Sequence, residues 1–237
     1  VLDLGCGRGG DLCKYARLGV ARVVGVDVST ESLVKAAARA DQLAGTFEFY
    51  QRDLEDPAVV AELEGTYDLV SFFFSAQYML PSREAAAALM ASLARLAPDG
   101  AVVLAIPDDQ LVSALPPGPL ARVERRTPAG PDGWGGVYEF SLVGAIDRCP
   151  EYGVPTAALL DEARAAGWRV DLAATFDTLA DLDPTLRSAM SADAPLTPVE
   201  RDVVGVYVAC ILSRGAALDP QECAEHDDQG PGRHQPG

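Results

Sequence analysis

Val1-Leu2-Asp3-Leu4-Gly5-Cys6-Gly7-Arg8-Gly9-Gly10 opens the chain with a short apolar run that breaks into glycines at alternate positions. This pattern suits a buried strand ending in a tight turn. Gly5, Gly7 and Gly9 let backbone amides come close to a bound molecule, where side chains would block it. Asp11 to Leu18 can begin a helix whose first turn borders the same space. A nucleotide-like ligand fits the arrangement.

Ala21 to Val26 is a second apolar strand ending at Asp27, about 20 residues after the glycines, where a carboxylate can accept both hydroxyls of a ribose. That spacing also suits a dinucleotide enzyme. The loop, however, reads Gly-x-Gly-x-Gly rather than Gly-x-Gly-x-x-Gly, and Asp3 stands just ahead of it. A carboxylate there would repel a pyrophosphate but suits the amino group of an amino-acid cofactor, which favours S-adenosylmethionine over NAD. Asp53 follows a third strand at Phe47 to Tyr50. In a doubly wound sheet it reaches the same crevice and can accept from an adenine amino group.

The 237 residues are 49% apolar and 23% charged, ordinary proportions for one soluble domain. No apolar run reaches the roughly 18 residues a membrane span needs. A net charge of −16 argues against broad electrostatic adhesion to nucleic acid and leaves room for a local basic pocket. Cys6, Cys13, Cys149, Cys210 and Cys223 are scattered and form neither a disulfide framework nor a CxxC metal pair. His226 and His234 are the only histidines, and both lie in the Gly-, Pro- and acid-rich tail of residues 215–237, expected to be disordered. Histidine-assisted nucleophiles, histidine bases and histidine-held zinc are thereby excluded, and no metal site is expected. The chain begins inside a strand without Met, so a preceding segment is expected.

Farther along, Ser29 can cap a helix from Glu31 to Ala44 that Gly45 ends. Tyr67 to Phe74 reads as a central strand, and Ser75-Ala76-Gln77-Tyr78 emerges from its end toward the crevice. Ser82 caps a periodic helix from Arg83 to Leu96, and Ala101 to Ile106 is a fifth strand. An insertion over about residues 108–136, rich in Pro and Gly and carrying Arg122, Arg125 and Arg126, is expected either to lie over the crevice or to form a mobile loop. Val137 to Leu142, Trp168 to Ala174 and Val203 to Leu212 read as strands, with a helix at Pro155 to Ala166. The alternation predicts a Rossmann-like α/β domain over 1–214 with a mostly parallel sheet.

With this order in place, the chain resembles the eukaryotic and viral mRNA cap guanine-N7 methyltransferases. The resemblance rests on VLDLGCGRGGDL with Lys14, VVGVDVS with Arg39 beyond it, YDLVS with QY, LAPDG with IP, VYEFSL with PEY, and LTPVERDVVGVYVACILSR. It implies a class I methyltransferase with a seven-stranded sheet, helices on both faces, and methyl transfer from S-adenosylmethionine to N7 of the terminal guanosine of RNA. It implies cofactor contacts at Asp3, Gly5, Gly7, Asp27 and Asp53, with Phe73 standing where the family has a glutamine. By the same likeness Glu151 recognises the cap guanine, Tyr207 lies near the base, Tyr78 belongs to a His-Tyr pair whose histidine is Gln77 here, and Arg39 and Lys14 meet the triphosphate. The implied partners are the capped RNA 5′ end (GpppN) and an RNA triphosphatase/guanylyltransferase or activating subunit, in the nucleus or alternatively the cytoplasm. Between Pro107 and Tyr138 the chain is short and lacks the family's Gly-Asn.

Guanine N7 already carries a free lone pair, so no proton has to leave before attack, and positioning with electrostatics suffices. Two rival readings keep the fold: a small-molecule acceptor, or an inactive cofactor-binding subunit of a capping complex.

Overall fold

The computed structural model describes residues 1–144, 146–182 and 196–214. Strand and helix alternate first as β1 (Leu2–Leu4), α1 (Leu12–Arg17), β2 (Arg22–Asp27), α2 (Thr30–Ala40), β3 (Thr46–Gln51), α3 (Pro57–Glu62), β4 (Leu69–Phe73), α4 (Arg83–Leu96) and β5 (Ala101–Pro107). There follow α5 (Asp109–Ala114), β6 (Ala121–Thr127), β7 (Val137–Leu142), β8 (Ile146–Tyr152), α6 (Thr156–Ala165), β9 (Arg169–Thr175), α7 (Phe176–Leu182), α8 (Pro198–Val204) and β10 (Tyr207–Ser213).

Seven strands pair in the order β3-β2-β1-β4-β5-β10-β9, parallel except for β10, which runs antiparallel to both its neighbours. The expected mostly parallel sheet is thus present. Its central strands are apolar because helices cover both faces. Leu2, Leu4, Val70 and Phe72 pack with Leu89, Met90 and Leu93 of α4 and with Leu159 and Ala163 of α6. On the opposite face, Leu12 and Tyr15 of α1 meet Val23 and Ala36. Because side chains alternate along a strand, Asp3 points away from the core that holds Leu2 and Leu4 and toward the α1 side.

Three expectations are corrected. The insertion is no open loop, since it carries α5 and β6, and β6 pairs antiparallel with β7, which pairs with β8. β7 therefore belongs to a separate three-stranded sheet. The inner face of that sheet packs Ala121, Tyr138 and Phe140 against Val112, Val203 and Val206. Charges cover the outer face, where Arg126 and Arg148 both pair with Glu139, at 2.7 and 3.0 Å. Arg125 pairs with Asp109 at 2.8 Å, so most of the expected basic cluster is neutralised.

The last strand starts at Tyr207 rather than Val203, because Thr197 and Glu200 form a reciprocal capping box that opens α8 ahead of it. α2 keeps its expected cap, Ser29 accepting from the Ser32 amide at 3.2 Å, yet ends at Ala40 rather than Ala44. Both histidines and the tail of 215–237 lie outside the described residues. No helix among the described residues is long and apolar enough to cross a membrane.

Candidate functional site

The strand order reverses at β1, with β2 and β3 on one side and β4 and β5 on the other. Such a switch point leaves a crevice at the carboxyl ends of the strands, and the glycine loop lies there. Gly5 adopts φ +77°, and its amide donates to the Val26 carbonyl at 2.8 Å. A Cβ at Gly5 would stand 2.3 Å from the Ser75 Cβ, so only glycine lets the loop pass the end of β4. Gly5→Ala is therefore expected to lower stability by about 2 kcal/mol, from left-handed strain plus overpacking, read as a drop in midpoint by chemical denaturation.

Gly7, at φ +52°, faces open space, and its amide donates to Asp27 Oδ2 at 2.8 Å. Asp27 Oδ1 accepts from the Ser29 amide at 2.8 Å. The carboxylate thereby fixes the loop against β2 and retains lone pairs for other donors. A cavity of about 200 Å³ is lined by Gly5, Asp27, Val28, Asp53, Phe74 and Tyr78. Val28 and Phe74 are 58% and 44% exposed, apolar surface left uncovered beside the carboxylates. An adenosine, with a flat apolar base and a polar ribose, matches that lining. Asp53 is exposed and accepts from the Glu55 amide at 3.0 Å.

Asp3 is buried against α1. Its Oδ1 accepts from the Ser71 hydroxyl at 3.0 Å, the Ser71 and Tyr15 hydroxyls lie 2.8 Å apart, and Oδ2 has no partner. Burial pushes the Asp3 carboxyl up to about 7, with Asp11 and Asp27 adding to the rise and the Ser71 hydroxyl opposing it. An orphaned carboxylate oxygen in a negative surrounding fits a ligand ammonium. A larger groove of about 430 Å³, lined by Arg22, Tyr50, Leu63 and Tyr67, holds none of the predicted site residues.

The other end of the crevice is built from β4, β8 and β10. Phe74 has φ +59°, a strained conformation for a non-glycine residue, while its amide donates to Ala105 at 2.9 Å. The turn brings Phe74, rather than the expected Phe73, into the cavity lining; Phe73 stays in β4 opposite Ala105. The Phe74 ring lies 5.0 Å from Tyr207 and 5.8 Å from Phe176, both edge-on, and Phe176 lies 6.1 Å from Tyr207.

Glu151 is buried near them. Tyr78, in a short 3-10 turn after β4, donates to Oε1 at 3.0 Å, and Tyr138 donates to Oε2 at 3.1 Å. Burial raises the Glu151 carboxyl above its ordinary value, and donation from Tyr78, Tyr138 and Gln77 pulls it back. Burial also raises the Tyr78, Tyr138 and Tyr207 hydroxyls, which stay neutral donors. The Gln77 amide donates to the Phe74 carbonyl at 3.0 Å, and its buried Oε1 has no partner.

Gly5, Asp27, Asp53 and Tyr78 thus line one cavity, and Glu151, Gln77 and Tyr207, up to 130 residues from one another, gather behind its Tyr78 and Phe74 wall. Lys14 and Arg39 are not brought in. Lys14 is exposed and bonded to Asp11 at 2.5 Å, and Arg39 is exposed on α2. Sequence reasoning missed Tyr138, Phe74, Phe176 and the Tyr15–Ser71 pair. A tyrosine inside the apolar VYEFSL strand was the only available hint of Tyr138.

Residues 1–100 match the family model described as a methyltransferase domain. The mRNA cap guanine-N(7) methyltransferase of Schizosaccharomyces pombe is 30% identical over 193 residues, 73% of this chain and 52% of that protein. The chain spans about half the length of that relative, and 27% of a Cryptococcus neoformans one bearing the same name. Among solved structures, a putative S-adenosylmethionine-dependent methyltransferase from Listeria monocytogenes superposes with TM-score 0.58 at 13% identity, covering 91% of this chain and 90% of that one. The glycopeptide N-methyltransferase MtfA complexed with S-adenosylmethionine superposes with TM-score 0.53 at 14% identity, covering 91% and 81%.

Residues 1–100 therefore match a methyltransferase domain, and the chain has the class I S-adenosylmethionine-dependent methyltransferase fold. In the MtfA complex this fold holds S-adenosylmethionine, and the open glycine loop, the Asp27 carboxylate and the orphaned Asp3 oxygen of this chain have the chemistry to hold the same molecule.

Proposed function

We propose that the chain transfers a methyl group from S-adenosylmethionine to N7 of the terminal guanosine of capped RNA. The observation that carries this reading is Glu151, a buried carboxylate held by two tyrosine hydroxyls beside the aromatic wall of Phe74 and Tyr207. Such a group accepts from the adjacent N1 and N2 donors of guanine, and the rings can hold the base plane. The cap methyltransferase names of the sequence relatives support the same acceptor. The proposed partners remain the GpppN end of RNA and a capping or activating subunit, in the nucleus.

The bound cofactor supplies an electrophilic methyl group on a sulfonium. Glu151 and Tyr78 orient the acceptor ring, Asp27 and the Gly7 amide shape the cofactor side, and no residue has to remove a proton. The test is transfer of labelled methyl to GpppG by the chain joined to its natural flanking segments. Formation of the N7-methylated dinucleotide is expected; tight cofactor binding without turnover on any capped RNA would favour an inactive subunit instead.

One observation favours a second reading, a small-molecule acceptor. The net charge is −16, and Arg125, Arg126 and Arg148 near the small sheet are engaged by carboxylates rather than free for phosphates. Failure of a cap analogue to compete with the true substrate would support it.

A further inference from the structure

We propose that Tyr138 is a positioning residue for acceptor recognition: it fixes the plane of the Glu151 carboxylate so that both oxygens meet paired N–H donors of the acceptor ring. The inference rests on the guanine reading given above.

Tyr138 is fully buried and lies directly across from Glu151 in the β7–β8 register. Its ring packs with Val112, Ala121, Val203 and Val206, the core that joins the small sheet to α5 and α8. The hydroxyl reaches one oxygen of Glu151 at 3.1 Å, while Tyr78, from the 3-10 turn after β4, reaches the other at 3.0 Å. The terminal torsion of a glutamate is broad, so a carboxylate with one donor swings. Two donors from two separate elements hold it.

The groups that face Glu151 are Tyr78, Tyr138, Tyr207, Gln77 and, through Tyr78, Cys149. None of them is a cation, so the orientation comes from hydrogen bonds and not from an ion pair. A carboxylate offers about four lone-pair sites; the tyrosines take one on each oxygen and the Gln77 amide donates as well. A ring N–H with an adjacent exocyclic amine would take the remaining site and the one that Gln77 yields. Neither Tyr138 nor Glu151 lines the cavity of about 200 Å³; Tyr78 does, and its hydroxyl joins the cavity to Glu151, behind which Tyr138 lies.

The experiment compares wild type with Tyr138→Phe on GpppG and on IpppG, whose inosine lacks the exocyclic amine. Cofactor affinity is measured by calorimetry, and the Glu151 titration is followed by carbon NMR of the labelled carboxyl in cofactor-free protein. Loss of one hydrogen bond to a charged group is expected to raise KM for GpppG by about tenfold. KM for IpppG should rise less, kcat and cofactor affinity should hold, and Glu151 should titrate at higher pH.

Unchanged KM with an unmoved titration overturns the proposal, as does equal loss of cofactor and both acceptors. Should wild type not methylate GpppG at all, the functional reading fails by itself. The titration then decides the Tyr138 contact alone, an upward move keeping it and no move overturning it. If Tyr138→Phe does not fold, 3-fluorotyrosine at position 138, a stronger donor, should move the Glu151 titration down, and no movement overturns the inference.

Discussion

Glu151→Gln is expected to lower kcat/KM for GpppG by about two to three orders of magnitude while leaving the Kd for S-adenosylmethionine within about twofold. The size follows from what one preorganised polar group contributes inside a water-poor site. Glutamine keeps the shape, but one of its terminal atoms becomes a donor. That donor would face a tyrosine hydroxyl that now donates at 3.0 or 3.1 Å, and on its open side it would repel an acceptor N–H instead of binding it.

Glutamine is a better probe than alanine, because Glu151→Ala would strand two buried tyrosine hydroxyls and mix instability with lost recognition. Radiometric transfer and calorimetry on the same preparation check the prediction. Equal loss of turnover and cofactor binding would make Glu151 a structural carboxylate.

The cofactor half of the crevice was legible in the sequence because it is written locally. The glycines sit within ten residues, and the distance from loop to Asp27 is one strand-helix-strand unit. Phe73 was misplaced by one position, because alternation along β4 gives no sign that the chain turns left-handed at Phe74. The small sheet was hidden for another reason. β6 reads ARVERRT, whose charges suggest a loop until Arg126 and Arg148 are seen to share Glu139 across the strands. Tyr138 could not be assigned to Glu151 from sequence, since their meeting depends on the β7–β8 register, and that register has an irregularity between Phe140 and Leu142. Glu151, Tyr78 and Tyr207 were named only through family likeness; in isolation each is an unremarkable loop or strand residue.

Cofactor affinity is expected to rise about tenfold per pH unit below about pH 7 and to level off above it, until the cofactor's own amino group loses its proton near 8. The rising limb belongs to Asp3. Burial holds its carboxyl up to about 7, against 3.8 when free, so most of the cofactor-free protein below that pH carries a neutral Asp3. Only the ionised form attracts an ammonium with full strength.

The same shift sets the sign for stability. Between about pH 4 and 7 the folded chain holds a proton that the unfolded chain releases, so the Asp3 contribution is complete below the unfolded value and is lost as pH rises toward 7. The cofactor-free protein should therefore lose midpoint temperature over that window, and saturating S-adenosylmethionine should offset the loss by binding the charged form. Asp3→Asn keeps an acceptor for Ser71 but cannot ionise, so it should flatten both profiles and weaken cofactor binding by about 10- to 100-fold at pH 7.5. Calorimetric titrations from pH 5.5 to 8.5 on both proteins provide the check. A wild-type affinity that stays constant between pH 5.5 and 7 would mean that Asp3 does not meet the cofactor's amino group.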